Sequence, residues 1–300
     1  MSDARAVLAS FLRRPYLILT LASLQWGANT VMGRLAVGEI APMLLVSLRW
    51  AIVAAVLLVI NRRGFAADWP QLRTRLGLLL LLGLTGYTGF TALFYAAAHF
   101  TTGANMSIIQ GAMPLFVFSF AFVARGRPIG GAQAVGMTLT LVGVAFVATR
   151  GNFEVARTLA FNLGDLFMVA ATILYAIYAV GLEDRPAVGA LSFFTAMAGV
   201  AFLTSLPLTL AEAAILPVTW PTPRGWLLTA LIAIFPSFVA QIFFIRGVEL
   251  IGPGRAGVFI NLIPIFGAAM AVAFLGEPFG WYQGAGLALV MVGIVLAQRR

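Results

Sequence analysis

Long apolar stretches separated by short polar breaks dominate the pattern along this chain of 300 residues. A helix that crosses a bilayer needs about 20 consecutive, mostly apolar residues. Ten stretches meet this requirement, and the longest breaks between them lie near residues 61–75, 150–157 and 212–224. The pattern therefore predicts an all-α polytopic membrane protein with ten transmembrane helices and no separate soluble domain. The predicted spans are 16–35, 42–60, 76–98, 103–123, 131–148, 161–182, 188–210, 226–245, 253–275 and 281–297.

The composition agrees with a bilayer as the solvent. Hydrophobic side chains make up 61% of the chain and charged ones 10%, against about 45–50% and about 25% in a typical globular protein. There is no Cys or Lys, and His99 is the single histidine. Disulfides, thiolate metal sites, Schiff-base lysines and zinc clusters are therefore excluded. We expect no enzyme activity, no catalytic residue, no metal site and no cofactor.

The basic residues are all arginines, and they lie at the breaks between apolar stretches. A nucleic-acid partner would need them clustered on one folded face, so none is expected. An excess of arginine marks the cytoplasmic side of a membrane protein. With the N-terminus inside, the arginines predict a multi-pass protein of the cell inner membrane with both termini cytoplasmic. The inner set is Arg5, Arg13, Arg14, Arg62, Arg63, Arg73, Arg75, Arg125, Arg127, Arg185, Arg246, Arg255, Arg299 and Arg300, and the outer set is Arg34, Arg150, Arg157 and Arg224.

The sequence matches itself at an offset of 150 residues. Matched prolines, glycines and glutamines in unbroken register indicate a duplicated unit, with residues 1–150 as the first copy and 151–300 as the second. Each copy holds five predicted spans, and because five is odd the second copy enters the membrane from the opposite side. Inverted repeats are typical of secondary transporters, which bind substrate where the repeats meet. The matched pairs include Pro114 and Pro264, Gly126 and Gly276, Pro128 and Pro278, Gln133 and Gln283, Gly136 and Gly286, and Gly143 and Gly293.

Several short motifs resemble those of one known family. They are Trp26-Gly27-Ala28-Asn29, Pro42 with Leu48-Arg49, Gly126-Arg127-Pro128, and Gly276-Glu277-Pro278 followed by Gln283, Gly286 and Gly293. With both repeats included, nearly the whole chain resembles the EamA type of the drug/metabolite transporter superfamily. Within that family the chain resembles the aromatic, broad-specificity amino-acid exporters, on overall similarity and on no single diagnostic motif. The resemblance implies export of small metabolites, often amino acids, although the first copy departs from the pattern with Arg127 where the second has Glu277.

Polar side chains inside the spans mark the candidate binding site, because such groups face the bundle interior or a water-filled cavity. Trp26, Asn29 and Gly33 share one helix face by their spacing. The tyrosines, amides and hydroxyls of other spans complete a predicted midplane cavity. The candidate substrate-binding residues are Trp26, Asn29, Tyr87, Thr91, Tyr95, Gln110, Tyr175, Tyr178, Gln241 and Asn261.

Other intramembrane residues admit two interpretations. Pro114 and Pro264 remove a backbone hydrogen bond, so each is a hinge candidate or a static kink. Arg49 lies within a span and either binds a substrate carboxylate or has a structural role. For four hydroxyl residues, helix packing competes with substrate contact. These four are Thr88, Thr91, Ser107 and Ser237.

These observations favour a secondary transporter that exports amino acids, aromatic and other neutral ones, by alternating access. An exporter of drugs or nucleosides from the same superfamily is the alternative, and a membrane scaffold protein is the alternative outside transport. The expected partners are a small-molecule substrate and the lipid bilayer. No carboxylate lies at the middle of a predicted span, and proton relays are built from such groups. Facilitated movement without proton coupling is therefore expected.

Overall fold

The structure is a computed structural model, and it describes residues 11–152, 154 and 161–298. All regular secondary structure in this part of the chain is helical. Proline at the first or second position begins several of the helices, where the missing N–H would have no intrahelical partner. The long helices are α1 (Pro15–Leu35), α2 (Pro42–Ile60), α3 (Arg62–Ala97), α4 (Gly103–Arg125), α5 (Gly131–Ala148), α6 (Leu163–Asp184), α7 (Ala190–Ile215), α8 (Pro223–Ile251), α9 (Arg255–Leu275) and α10 (Trp281–Ala297).

Eight helices of the described residues, α2 to α9, are long and apolar enough to cross a bilayer. α1 has 21 residues, but Gln25, Asn29 and Arg34 make it less apolar. α10 is apolar and has 17 residues, about the lower limit for a spanning helix. The prediction of an all-α polytopic membrane protein is confirmed, and the full count of ten spans remains a prediction.

The connection predicted at 61–75 is itself helical. Arg62–Leu72 forms an α-helix and Arg73–Arg75 a short 3-10 turn, and both continue into the rest of α3. The Asp68 carboxylate accepts a hydrogen bond from the Gly189 N–H at 3.3 Å, which ties this extension to the start of α7. The hydropathy pattern shows only the apolar part of a helix, so it did not predict that α3 begins at Arg62.

The helices pack in a pattern that follows the 150-residue offset. α1 packs on α8 and α9, while α6 packs on α3 and α4. A shift of 150 residues carries α1 onto α6, α3 onto α8 and α4 onto α9, so the two sets of neighbours correspond. α2 packs on α7 and α5 packs on α10, and each of these pairs joins a helix to its own equivalent.

Local irregularities recur at the same offset. A π-helical segment interrupts α3 at Gly83–Gly89, and another interrupts α8 at Ala233–Val239. α4 ends at Gly126 with φ 63°, and α9 ends at Gly276 with φ 64°. Glycine is the residue that adopts this left-handed conformation without strain. The two halves of the chain therefore share backbone features that apolar similarity alone would not produce.

Glycines form the seam between α5 and α10. A Cβ added to Gly143 would lie 2.7 Å from the carbonyl oxygen of Gly286, and one added to Gly286 would lie 2.8 Å from the carbonyl oxygen of Gly143. Gly136 and Gly293 approach each other's backbones in the same way. Small residues permit this close backbone contact between membrane helices, so these four glycines serve helix packing.

Candidate functional site

A cavity of about 650 Å³ lies between α1, α2, α3, α4, α6, α7, α8 and α9. Its described lining includes no residue of α5 or α10. Aromatic rings cover much of the wall, and amides, hydroxyls and one buried guanidinium interrupt them. The aromatic residues of the wall are Trp26, Trp50, Tyr87, Phe90, Phe94, Tyr175, Tyr178, Phe193, Phe194 and Phe244.

The structure brings most of the predicted site residues together on this wall. Tyr95 lies one layer behind the lining, and Asn261 lies on the 3-10 segment Val258–Leu262, outside the lining. Ile260 and Ile263 of the same region face the cavity instead. The predicted residues that do line the cavity are Trp26, Asn29, Tyr87, Thr91, Gln110, Tyr175, Tyr178 and Gln241.

Arg49 is the buried cation of the cavity wall. Its side chain is buried, with the whole residue 4% exposed, so it does not reach the protein surface. The Nη1 atom donates to the Tyr95 hydroxyl at 2.6 Å, and that hydroxyl donates to Asn29 Oδ1 at 2.8 Å. The guanidinium also lies 4.8 Å from the ring centroid of Trp50, within the range of a cation–π contact. Tyr95 thus orients Arg49 from behind the wall.

Trp26 connects α1 to the π-helical segment of α8. Pro236 lies inside that segment, and the Ala240 N–H bonds to the carbonyl oxygen of Phe235, five residues back. The Pro236 carbonyl oxygen accepts a hydrogen bond from Trp26 Nε1 at 3.0 Å. A buried indole N–H usually requires such a partner. The irregular backbone of α8 therefore holds the Trp26 ring against the cavity, 5.3 Å from the ring of Phe244.

Tyrosines form another part of the cavity wall, around the π-helical segment of α3. The ring centroid of Tyr87 lies 4.9 Å from that of Trp50 and 5.6 Å from that of Tyr178. Tyr175 lies 5.3 Å from Tyr178. A Cβ at Gly86 would collide with the Tyr178 ring, so glycine permits the ring to pack against α3. Offset and edge-to-face contacts of this kind make a rigid aromatic surface.

Sequence reasoning missed the phenylalanines of the lining. Phe90 lies 5.6 Å from Tyr175, and Phe194 lies 6.5 Å from Tyr87. The chain contains 24 phenylalanines, and nothing in their type separates those that face lipid from those that face the cavity. Only the position of each phenylalanine around its helix, relative to the polar residues, indicates whether it faces the cavity.

The cavity reaches the surface at the C-terminal ends of α6 and α8, because exposed Glu183, Arg185 and Glu249 belong to its lining. The Glu183 carboxylate pairs with Arg127 at 2.7 Å, and the Glu249 carboxylate pairs with Arg246 at 2.9 Å. The carboxylates at this mouth are therefore neutralised by their own arginines.

Contacts between the two copies close the opposite end. The Glu277 carboxylate accepts hydrogen bonds from the N–H groups of Gly103 at 2.9 Å and Ala104 at 3.0 Å, at the start of α4. A carboxylate at a helix N-terminus is favoured by the helix dipole. Glu277 also lies 3.5 Å from Arg34 Nε, and Arg34 donates to the carbonyl oxygen of Ala98. One carboxylate thus links the α9–α10 connection to α1 and α4.

Asp165 anchors a second network at this closed end. Its carboxylate accepts hydrogen bonds from the Thr101 hydroxyl and from Asn105 Nδ2, the latter at 3.4 Å. Asn105 Oδ1 accepts from Gln283 Nε2 at 3.1 Å. His99 lies with Thr101 on the connection between α3 and α4. Burial and the positive charge of Arg34 lower the pKa of His99.

None of these networks extends into the cavity wall. Asp165, His99, Arg34 and Glu277 are all absent from the described lining. Among the described residues there is also no group of three His, Asp or Glu side chains that could hold a metal ion.

The two hinge candidates occupy equivalent positions at breaks in their helices. Pro114 follows the Gly111–Ala112 turn at the start of the helical segment Met113–Arg125. Pro264 follows a 3-10 segment at the start of the helical segment Ile263–Leu275. Each proline thus begins the second half of an interrupted helix, where its missing N–H leaves no gap in the hydrogen bonding.

The structure separates the four hydroxyl residues whose roles were open. Thr91 and Ser237 belong to the cavity lining. Ser107 donates to the Thr30 hydroxyl at 3.1 Å, and Thr88 bonds the hydroxyl of Thr204 at 2.6 Å. Ser107 and Thr88 therefore serve the packing of helices.

Comparison with known sequences gives matches over nearly the whole chain. The profile of the EamA-like transporter family matches twice, over residues 13–149 and 162–298. The "Uncharacterized transporter YyaM" of Bacillus subtilis (strain 168) is 27% identical over 94% of this chain and 92% of its own length. The "Probable amino-acid metabolite efflux pump" of Salmonella typhimurium (strain LT2) is 26% identical over 95% of this chain and 94% of its own length. A protein with the same description in Escherichia coli (strain K12) is 24% identical, over 95% and 94%.

A solved structure has the same fold. One crystal structure superimposes with a TM-score of 0.65 at 21% identity, and the match covers 94% of this chain and 96% of the other. At this identity the likeness shows the fold alone.

Proposed function

The chain belongs to the EamA-like transporter family, and on that premise we propose that it exports amino acids, mainly aromatic and other neutral ones. Membrane transport is common to the family and to its named relatives. The amino-acid substrate rests on the chemistry of the cavity, and the descriptions of two relatives as amino-acid metabolite efflux pumps support it.

The proposed architecture has ten transmembrane helices in two inverted repeats, residues 1–150 and 151–300. The recurrence of the π-helical segments at an offset of 150 residues supports this division. The reciprocal packing of α1 on α8 and α9 and of α6 on α3 and α4 supports it as well. The arginine distribution supports a cytoplasmic position for both termini, and the proposed membrane is the inner one.

The composition of the cavity wall carries the proposal. A volume of about 650 Å³ falls within the range of small-molecule sites, about 300–1,000 Å³. Aromatic rings on several helices suit an apolar or aromatic side chain. The amides of Asn29, Gln110 and Gln241 and the guanidinium of Arg49 suit the polar groups of an amino acid. The lining carboxylates, Glu183 and Glu249, are exposed and paired, which does not favour a cationic drug.

Movement follows an alternating-access cycle. The cavity opens at the end of Glu183 and Glu249, which is the cytoplasmic side in the proposed topology. The Glu277 and Asp165 networks close the periplasmic side. Export then requires these networks to separate while the Glu183 end closes, as one repeat rocks against the other. Pro114 and Pro264 are the proposed hinges, because each lies where an interrupted helix can bend.

Purified protein in liposomes tests this function directly. Vesicles loaded with unlabelled phenylalanine should accumulate external labelled phenylalanine by exchange, and protein-free vesicles should not. A panel of labelled amino acids, a nucleoside and a cationic dye then defines the substrate class. Exchange of the nucleoside or dye without exchange of any amino acid would establish the alternative exporter, and exchange of none of them would contradict transport of these classes.

A further inference from the structure

Two buried polar groups on the cavity wall have unused hydrogen-bonding capacity. Arg49 Nε and Gln110 Oε1 are both buried, and neither has a hydrogen-bond partner among the residues that the structure describes. Both residues line the same cavity. Buried polar groups in native proteins are nearly always paired, so an unpaired donor and an unpaired acceptor in one cavity indicate a ligand that completes both.

Arg49 also carries a charge that no described carboxylate neutralises. The described ion pairs involve other arginines, and the hydrogen-bonding partner of Arg49 is the neutral Tyr95 hydroxyl. The rings of Trp50 and Tyr95 lie 4.8 and 5.4 Å away and supply only part of the stabilisation that a buried cation needs. A guanidinium matches a carboxylate through two parallel hydrogen bonds, and such a ligand would supply the missing negative charge.

Gln110 presents the complementary group. It is the last residue of the helical segment Gly103–Gln110, immediately before the break in α4. Its side-chain oxygen is an acceptor and requires an N–H or O–H donor from the ligand. An ammonium group provides such a donor without requiring a negative charge on the protein.

We propose that Arg49 binds the α-carboxylate and Gln110 the α-ammonium of a zwitterionic amino acid, whose side chain lies against the aromatic wall. This assignment rests on the proposed function, because it specifies how the exporter would recognise an amino acid. According to this assignment, a ligand needs a free carboxylate to bind, and an aromatic ring alone is not sufficient.

The native protein tests the assignment through three competitors of labelled phenylalanine exchange in liposomes. They are phenylalanine, 2-phenylethylamine, which lacks the carboxylate, and 3-phenylpropionate, which lacks the ammonium group. Losing a charge-assisted hydrogen bond should weaken competition by about tenfold to hundredfold. We expect phenylalanine to compete best and each analogue to fall behind by about this factor. Equal competition by 2-phenylethylamine would overturn the role of Arg49, and equal competition by 3-phenylpropionate that of Gln110.

Variants assign each preference to its residue. In Arg49→Gln the advantage of phenylalanine over 2-phenylethylamine should disappear, and in Gln110→Leu its advantage over 3-phenylpropionate should disappear. Arg63→Gln removes an exposed arginine outside the cavity and should retain both preferences. A folded variant that keeps the preference it should lose would overturn the assignment of that residue.

Competition ratios within one variant are independent of how much protein folds. If Arg49→Gln does not elute as a single species, Arg49→Lys keeps the charge and loses the paired geometry, and its carboxylate preference should be reduced. Failure of the wild type to exchange any amino acid would contradict the proposed function itself. Exchange with equal competition by both analogues would contradict only this inference.

Discussion

Trp26 and Pro236 lie 210 residues apart in the sequence, and the indole N–H of the first donates to the carbonyl oxygen of the second at 3.0 Å. The bond connects the first helix of one sequence copy to an interrupted helix of the other. The same indole ring forms part of the cavity wall. The packing of the two copies and the shape of the candidate binding site therefore depend on one side chain.

We expect Trp26→Ala to weaken substrate binding by up to about tenfold, because the indole ring offers the ligand an aromatic contact worth about 0.5–1.5 kcal/mol. The KM of amino-acid exchange in liposomes measures this effect. Trp220→Ala is the matched control, since Trp220 is 73% exposed and outside the cavity lining. Loss of folded Trp26→Ala protein in detergent would show instead that the indole mainly holds the helices together.

The cavity wall was predictable where polar residues marked it. Trp26 and Asn29 follow helical spacing along α1, and both line the cavity. Tyr95 also follows that spacing after Thr91, yet it lies behind the wall because its hydroxyl is engaged by Arg49. Asn261 lies on a 3-10 segment, where an assumed α-helical period gives the wrong face. Periodicity identifies a face only in an uninterrupted helix.

The interruptions themselves were less visible in the sequence. Pro236 within an apolar stretch indicates a disturbance of α8, but Gly83–Gly89 has no proline and still forms a π-helical segment. Its irregularity is understandable from packing, since Gly86 leaves room for the Tyr178 ring. Contacts of this kind join residues that are far apart in the sequence. The hydropathy pattern along the chain therefore does not reveal them.

The glycine seam should control stability without affecting substrate recognition. Gly143→Ala places a methyl group 2.7 Å from the carbonyl oxygen of Gly286, and such overpacking usually destabilises by about 1–3 kcal/mol. We expect a lower temperature of thermal unfolding in detergent and unchanged exchange per folded molecule. Gly131→Ala is the control, because its added Cβ would have no neighbour within 4 Å. Unchanged thermal stability in Gly143→Ala would contradict close packing at this seam.

Glu277 should hold the closed end of the cavity. Glu277→Gln removes the charge that accepts from two backbone N–H groups at the start of α4 and pairs with Arg34. Hydrogen bonds to charged groups contribute about 1.5–3 kcal/mol. We therefore expect this end to open more often, and transport to be altered without loss of folding.

Cysteine labelling measures that opening, because the natural chain has no cysteine and an introduced one has no background. Ser107 is fully buried near the closed end, so Ser107→Cys should react slowly with a membrane-impermeant maleimide. The rate should rise by about tenfold when Glu277→Gln is added, if about 1.4 kcal/mol of closure is lost. Asp68→Asn removes a carboxylate from the α3 extension, away from the closed end, and serves as the control. An equal labelling rate with and without Glu277→Gln would contradict a gating role.

A proton-coupled exporter needs a group at the substrate site that binds and releases a proton during the cycle. The carboxylates of the described lining, Glu183 and Glu249, lie at the open mouth in ion pairs. Asp165 is buried but belongs to the closed end. Burial and the nearby Arg34 lower the pKa of His99, which favours its neutral form.

We therefore expect amino-acid exchange in liposomes to proceed without an imposed pH difference and to be unaffected by a protonophore. Because the pKa of His99 lies below its ordinary value of about 6.5, raising the pH from about 7 to 8 should leave its charge unchanged. The exchange rate should therefore be flat over this interval. Uptake that appears only with a pH gradient, and collapses with a protonophore, would contradict this prediction. In that case Asp165→Asn tests whether Asp165 is the coupling group, because the variant keeps the hydrogen bond from Thr101 and removes the exchangeable proton. If the variant no longer requires a pH gradient, the coupling group lies at the closed end, outside the cavity wall.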